Sequence, residues 1–277
     1  MKRLVSFIIA FAMLAVLPAA AENVQAAGPV DEAQGSLAGY IIVLHTADTL
    51  GQAGEGLGFA RVSEAKARFE EEGAAVLLLD DGGALPEEGG EAGEIARAMT
   101  EAGYDAMVPA ASDFSQGLEQ LTALKDGAGF PLLAANALDA EGERLLSGSI
   151  IVDKDGLRIG VFGLTDAPDA GGVSVTDAEK AAASAVSTLR GEGCDVVVAL
   201  ARLAADGSGV TAHALADAVT GINIIIDMNA AAPAQGQWTA GGTLIVSGAA
   251  RMASIGIVAI DPMGRAAAMT MDGSWFE

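Results

Sequence analysis

Fifteen Lys and Arg against thirty-seven Asp and Glu give this 277-residue chain a formal charge of −22, which excludes a nucleic-acid binder, since that needs a cationic footprint. One cysteine excludes a disulfide scaffold, and His45, His213 and Cys194 lack the C-x-x-C or H-x-x-x-H spacing of a structural zinc module. With 51% hydrophobic residues the chain is not disordered either, and it has the material for a packed core.

The N-terminus reads as a targeting signal. Lys2-Arg3 is a basic n-region, Leu4 to Leu17 is apolar but shorter than the ~20 residues of a spanning helix, and Ala19-Ala20-Ala21 meets the small-residue cleavage rule before Glu22. Residues 1–21 are therefore expected to be a signal peptide, with an uncleaved anchor as the alternative; no cysteine follows to make a lipoprotein. Cleavage leaves thirteen cations against thirty-seven acids, a charge of −24, on a chain exported to the periplasm or the extracellular space without a stable membrane span. Residues 22–38, rich in Ala, Gly, Gln and Asp, read as a flexible leader, and 39–277 as one layered α/β domain.

Within that domain short apolar runs alternate with helical patterns. Strands are expected at 40–44, 75–79, 106–109, 131–135, 157–164, 195–200, 223–227, 243–247 and 254–260. Helices are expected at 59–72, 91–102, 117–125, 177–190 and 210–219. The first helix carries Phe59, Val62, Ala65 and Phe69 on one face; Asp177 is an N-cap acid, and Gly103, Gly127, Gly191 and Gly221 are stop signals. Val196 to Leu200 is apolar on both faces and belongs in the middle of a covered sheet, with Cys194 a buried thiol at its head, and the runs after Thr243 suggest an antiparallel portion.

In such folds the chemistry sits where loops leave the carboxyl ends of strands. Those exits read His45-Thr46-Ala47-Asp48-Thr49-Leu50-Gly51, Asp80-Asp81-Gly82-Gly83, Ala110-Ala111-Ser112-Asp113-Phe114, Ala201-Arg202-Leu203 and Asp227-Met228-Asn229-Ala230-Ala231. Carboxylates stand at four of the five, a pattern like a hard-metal or anion site without nitrogen ligands.

These residues carry a resemblance. Leu44 to Thr49 is similar to L-H-T-N-D-T-H-G, Leu77 to Asp80 to L-L-D-A-G-D, and Asp113-Phe114 with Gly117 to the block around G-N-H-E-F. Phe130 to Asn136, Ile159 to Thr165, Asp195 to Leu200 and Gly221 to Asp227 follow in order. From about Gly39 to Pro262 the chain resembles the metallophosphoesterase domain of the 5′-nucleotidase family, within the calcineurin-like phosphoesterases. The resemblance implies a layered β-sandwich flanked by helices, and a two-metal centre of Asp, His and Asn that activates water and clamps phosphate.

Carried over position by position, the ligands are mostly missing. Asp48 is kept, but Leu50 stands for a histidine, Gly83 for the bridging aspartate, Ala111 and Ser112 for an asparagine and a histidine, and Arg202 for a histidine. The two histidines of the last block fall on Asn229 and Ala231. Leu, Gly and Ala offer no lone pair, so the two-metal cluster cannot assemble, and the remaining carboxylates would repel a phosphate dianion. Arg202 is expected to sit where a metal sits in the family and to pair with Asp48 or Asp227, unless it points to solvent from its loop.

Other features weigh less. His45 reads as a hydrogen-bonded structural histidine at the last strand position, and His213 as exposed. No G-x-S-x-G elbow supports a hydrolase triad. Gly54-Glu55-Gly56-Leu57-Gly58 fails the dinucleotide fingerprint, the acid run Glu70-Glu71-Glu72 reads as a solvated face, and residues 82–94 read as a mobile loop over the old site. Trp238 reads as a rim or core aromatic. The family's C-terminal nucleoside-gripping domain has no counterpart before Glu277.

Three functions follow. The first is an exported, catalytically inactive module that needs no cofactor and binds an envelope or extracellular partner. The second is a residual phosphoester hydrolase with one weakly bound divalent cation (Mg, Mn or Ca) on oxygens of Asp48, Asp81, Asp113, Asp227 and Asn229. The third is a subunit whose site is completed by another chain.

Overall fold

Strands that are apolar on both faces form the centre of the molecule, with helices on the outside. The computed structural model describes residues 36–52, 56–86, 91–166, 172–203, 209–248 and 250–277. The expected signal segment and nearly all of the expected leader lie outside these residues.

In chain order the first half holds β1 (Ile41–Thr46), α1 (Gly58–Glu71), β2 (Ala75–Asp80), α2 (Ala92–Ala102), β3 (Ala106–Met107), α3 (Ala111–Ser115) and α4 (Leu118–Gly127). The second half holds β4 (Ala137–Leu138), β5 (Ser149–Lys154), β6 (Leu157–Thr165), β7 (Ser174–Val175), α5 (Ala178–Gly191), β8 (Val196–Arg202), α6 (Ala212–Ala218), β9 (Ile224–Ile226), β10 (Gln237–Trp238), β11 (Leu244–Val246), β12 (Ile255–Ile260) and β13 (Ala266–Met271).

One sheet runs β13-β12-β1-β2-β3 and a second runs β10-β11-β9-β8-β6-β5. Their inner faces pack together through Ile41, Val43, Leu77 and Leu79 on one side and Val161, Val198, Leu200 and Ile224 on the other. The outer face of the first sheet is covered by α1, α2 and α4, with Phe59, Val62, Ala65 and Phe69 of α1 turned inward as their spacing predicts. The outer face of the second is covered by α5 and α6 through Val186, Leu189 and Leu215. Each fully buried Ile, Val or Leu contributes roughly 1.5–3 kcal/mol, so both sheets must be covered on both faces. The result is the expected layered α/β sandwich.

The parallel pairs β1·β2, β6·β8 and β8·β9 bring Thr46, Asp80, Thr165, Arg202 and Ile226 to one end of the two sheets. The site is built there. Local signals hold: Gly103 ends α2 in the left-handed conformation, and the Asp177 carboxylate accepts from Lys180 N at the start of α5. The antiparallel portion expected after Thr243 is the β12–β13 hairpin, which β12 joins antiparallel to β1. Cys194 is buried ahead of β8.

Some expectations need correction. Residues 131–135 form only single bridges, Leu132 to Met107 and Leu133 to Ser147, because the chain passes between the edges of two elements without a full ladder. The strand expected at 106–109 is regular over two residues, since Pro109 has no N–H to donate to a ladder. β5 and β13 went unread, as did the short α3. His213 is half-buried in α6. Ala84 and Leu85, expected in a mobile loop, are buried; residues 87–90 of that loop and 53–55 of the glycine loop lie outside the described residues. Among the described residues no helix is long and apolar enough to cross a membrane.

Candidate functional site

The loop after β1 lies along the loop after β2. Asp48 N donates to Gly82 O (2.7 Å), Leu50 N to Gly83 O (3.0 Å), Gly51 N to Ala84 O (2.7 Å) and Asp81 N to Thr46 O (2.8 Å). A third loop is tied in by Asp113, whose Oδ2 accepts from Gly83 N (2.8 Å) and Ala110 N (2.9 Å) and whose Oδ1 accepts from Leu85 N (2.9 Å). This fully buried carboxylate spends both oxygens on backbone donors that would otherwise be orphaned.

Arg202, the last residue of β8, is 8% exposed and points into this junction. Its Nη2 lies 2.6 Å from Asp48 Oδ1, and its Nη1 donates to Asp81 O at 3.1 Å and contacts Met228 Sδ at 3.3 Å. Of the two expected partners, Asp48 is the one in ion-pair contact. Burial works against the charged guanidinium, but Asp81 and Asp48 outweigh it and hold its pKa above the ordinary arginine value.

The surrounding carboxylates bear the cost of their burial. Asp80 rises to about 7 by desolvation, although Thr46 and Gly82 N donate to it. Asp227 also rises to about 7, chiefly by burial and against the donation of Asn229 N to its Oδ1 (2.9 Å). Asp81 is pushed well above the usual range by burial and by Asp227; its Oδ2 accepts from Met228 N (2.6 Å), while its Oδ1 is buried with no hydrogen-bond partner. Burial raises Asp113 too.

The backbone is strained at the same place. Asp48, Leu50 and Ala231 hold positive φ of 48°, 47° and 51°, each costing about 1–2 kcal/mol for a residue with a Cβ. Gly83, at φ 75°, has no room for a side chain, because a Cβ there would lie 2.2 Å from Asp48 Oδ1. The space that a side chain at position 83 would need is thus occupied by the Asp48 carboxylate.

The remaining expected residues are less central. Asn229 turns its Nδ2 to Leu203 O (2.6 Å), Ala111 opens α3, Ser112 is exposed beside it, and Ala231 is exposed. Thr46, not His45, is the last residue of β1; the His45 ring packs on Gly256, and its buried Nδ1 has no hydrogen-bond partner, so desolvation lowers it to about 4. Trp238 is half-buried against the core between the sheets.

Several polar residues at this end were not singled out as site residues in the sequence. Asp80 accepts from Thr46 Oγ1 (2.6 Å), which is 2.8 Å from the Tyr104 hydroxyl, in a fully buried chain. Asn136 clasps Thr165, donating to its carbonyl (2.8 Å) and accepting from its N–H (3.0 Å). The available signal for Asp80 was its place at the end of the apolar run Val76–Leu79; nothing local marked Met228.

Among the described residues, no group of three or more His, Cys, Asp and Glu is arranged to hold a metal. The oxygens of Asp113 and Asp80 face backbone N–H groups or Thr46, and Asp48 faces a cation. The donor set does not fit the family's two-metal centre.

No protein-family model matches the sequence. A 5′-nucleotidase of Vibrio cholerae is 33% identical over 185 residues, covering 59% of this chain and 34% of the relative. A 5′-nucleotidase of Vibrio vulnificus is 34% identical over 138 residues, 45% of this chain and 25% of the relative. The chain thus spans about a third or less of the length of these curated relatives. Among solved structures, the fold is shared with a 5′-nucleotidase precursor of Thermus thermophilus (TM-score 0.70, 21% identity, 85% of this chain and 55% of that one) and with the sulfate thiohydrolase SoxB of the same species (TM-score 0.70, 21% identity, 84% and 56%). It is shared also with the calcineurin-like phosphoesterase YfkN of Bacillus subtilis (TM-score 0.67, 20% identity, 84% and 90%). In sequence the chain is thus similar to 5′-nucleotidases over part of its length, and in fold it is similar to these solved structures.

Proposed function

We propose that this domain is an exported, catalytically inactive relative of the metallophosphoesterases, in which the Arg202 guanidinium does electrostatically what metal ions do elsewhere in the family. The supporting observation is the buried contact between Arg202 and Asp48, the one family ligand position that keeps its residue. A fixed cation offsets Asp48 and the neighbouring acids and holds the three loops in their strained arrangement. It supplies no exchangeable coordination position and generates no bound hydroxide, so the site lacks a nucleophile for phosphoester hydrolysis. The domain then serves as a binding module for an envelope or extracellular partner. Export is supported by Lys2-Arg3, the apolar run to Leu17 and Ala19-Ala20-Ala21.

A second reading has one observation in its favour. Asp81 Oδ1 is buried without a partner, as an oxygen awaiting a hard cation would be, so a residual hydrolase with a single oxygen-ligated Mg, Mn or Ca is the alternative. One purified sample decides between them, assayed for nucleotide hydrolysis with added manganese and analysed for bound metal. The inactive reading expects no turnover above background and substoichiometric metal. Stoichiometric metal with manganese-dependent turnover would overturn it, and loss of that turnover in Asp81→Asn would establish the alternative.

A further inference from the structure

Beside β3 and the segment that follows Phe130 lies a cavity of about 470 Å³, lined by Lys125, Phe130, Pro131, Leu132, Arg144, Leu145, Leu146 and Ser147. Leu132 bridges Met107 of β3 there, and none of the lining residues belongs to the Arg202 cluster. Its floor is apolar: Phe130, Leu132 and Leu146 belong to the core over the outer face of the first sheet, and Leu145 packs against them. Its rim carries the exposed side chains of Lys125 and Arg144 and the Ser147 hydroxyl.

Lys125, Arg144, Lys154 and Arg190 have no carboxylate partner among the described residues, and Lys125 and Arg144 are the two that meet at one cavity. At least eight of the described Lys and Arg have a carboxylate partner, from the buried Arg202–Asp48 pair to the exposed Lys180–Asp177 pair. With acids in more than twofold excess, a partner is the ordinary outcome for a cation. Among the described residues neither Lys125 nor Arg144 has one. The last turn of α4 favours a cation at Lys125, but no helix end accounts for Arg144. The Arg144 guanidinium lies close over Gly148, where an added Cβ would meet Nη1 at 3.1 Å and Cζ at 3.5 Å, so the absent side chain leaves room for it. A planar donor fork, an ammonium and a hydroxyl above an apolar floor are complementary to an anionic head on an apolar body. The volume is in the range of small-molecule sites.

We infer that this cavity is a binding site for a small amphiphilic organic anion, a carboxylate or phosphate head held by Arg144 and Lys125 with its apolar body on Phe130, Leu132 and Leu146. It is independent of the proposed inactivity of the Arg202 site.

The test titrates the full chain with octanoate, octyl phosphate and octanol, following backbone amide shifts by NMR. Saturable shifts confined to residues 125–132 and 144–148, with either anion binding at least about tenfold more tightly than octanol, are expected. The tighter of the two anions names the head group. Arg144→Gln and Lys125→Gln, both exposed and so harmless to folding, should each weaken the anion by about tenfold and leave octanol unchanged. Equal affinity for octanol and the anions, anion binding indifferent to both substitutions, shifts centred elsewhere, or no saturable binding at millimolar concentration would each overturn the inference. Phosphatase and metal measurements do not enter this outcome, so it stands or falls separately from the reading of the Arg202 site.

Discussion

Two regions of the molecule handle charge in opposite ways. At the carboxyl ends Asp48, Asp80, Asp81, Asp113 and Asp227 gather around one buried arginine, and nearly every donor and acceptor is spent inside the protein. Beside β3 Lys125 and Arg144 stand, without a carboxylate partner among the described residues, on the rim of a cavity in a chain short of cations. In the family whose fold this chain shares, the carboxyl-end loops are where chemistry is expected. Here those loops are closed on themselves, and unspent charge stands at the cavity beside β3. A site is advertised by charge left unsatisfied, and the position that a fold usually reserves for chemistry does not guarantee it.

The strongest way to break this comparison is to remove the buried cation. Arg202→Met keeps the length and apolar stem of the side chain but leaves Asp48 and the carboxylates behind it without a counter-charge. Breaking a buried pair by removing one partner costs about 3–5 kcal/mol, and that loss is expected in urea denaturation at pH 8. At pH 5 the loss should shrink, because Asp80 and Asp227, raised to about 7, then hold protons and need less compensation. Adding Asp48→Asn should return part of the loss. A cost below about 1 kcal/mol at pH 8 would mean that Arg202 is not the counter-charge of the cluster.

Gly83→Ala probes the same pair from the other side. The residue holds a left-handed φ of 75°, and the new methyl would meet Asp48 Oδ1 at 2.2 Å. The strain and the displaced Asp48 together should cost about 2–3 kcal/mol. In an Arg202→Met background the carboxylate has already lost its partner and is free to move aside, so the increment should fall. Full additivity of the two substitutions would show that the clash is relieved without disturbing the pair.

The pH dependence sharpens the contrast further. An unfolded aspartate releases its proton near pH ~4, whereas folded Asp227 keeps its own to about 7. Between those values the folded state binds more protons, so this group makes stability fall as pH rises, with no further change above the folded pKa. His45, lowered to about 4, has the reverse sign: between about 4 and its unfolded value near ~6.5 the unfolded state binds the extra proton, and stability rises with pH. Both proteins keep His45, so comparing wild type with Asp227→Asn cancels it. From pH 5 to pH 8 the variant should gain at least about 1 kcal/mol relative to wild type. A flat difference across that range would show that Asp227 is not held neutral by burial.

Much of the layered fold was legible because its strands and helices carry strong patterns. The spacing of Phe59, Val62, Ala65 and Phe69 located α1 and its buried face, and the all-apolar Val196 to Leu200 marked a central strand. β5 and β13 escaped notice for a physical reason: they are edge strands, half-buried, with Asp153 and Lys154 in one and an alanine-rich run in the other, so their hydrophobic signal is weak. At the carboxyl ends the sequence order supplied Asp48, Asp81, Asp113, Asp227 and Arg202, but not which carboxylate would meet the guanidinium. That choice depends on the backbone stitching between the loops after β1 and β2, in which a left-handed Asp48 and a side-chain-free Gly83 open the space. The cavity beside Arg144 was illegible, because its lining comes from separate segments that only the packing of α4 against the chain after Asn136 brings together.

The smallest expected effect on stability belongs to the substitutions that matter most to the cavity beside β3. Lys125→Gln and Arg144→Gln remove exposed cations that have no carboxylate partner among the described residues, so no ion pair is lost and no acid is left uncompensated. Each should change unfolding free energy by no more than about 0.5 kcal/mol, against the several kcal/mol expected for Arg202→Met. Near-neutrality in stability combined with a large loss of anion affinity is what separates a cation kept for a ligand from one kept for the fold. If Arg144→Gln instead costs as much as a buried pair, Arg144 belongs to the architecture around Gly148, and the contrast between the two regions disappears.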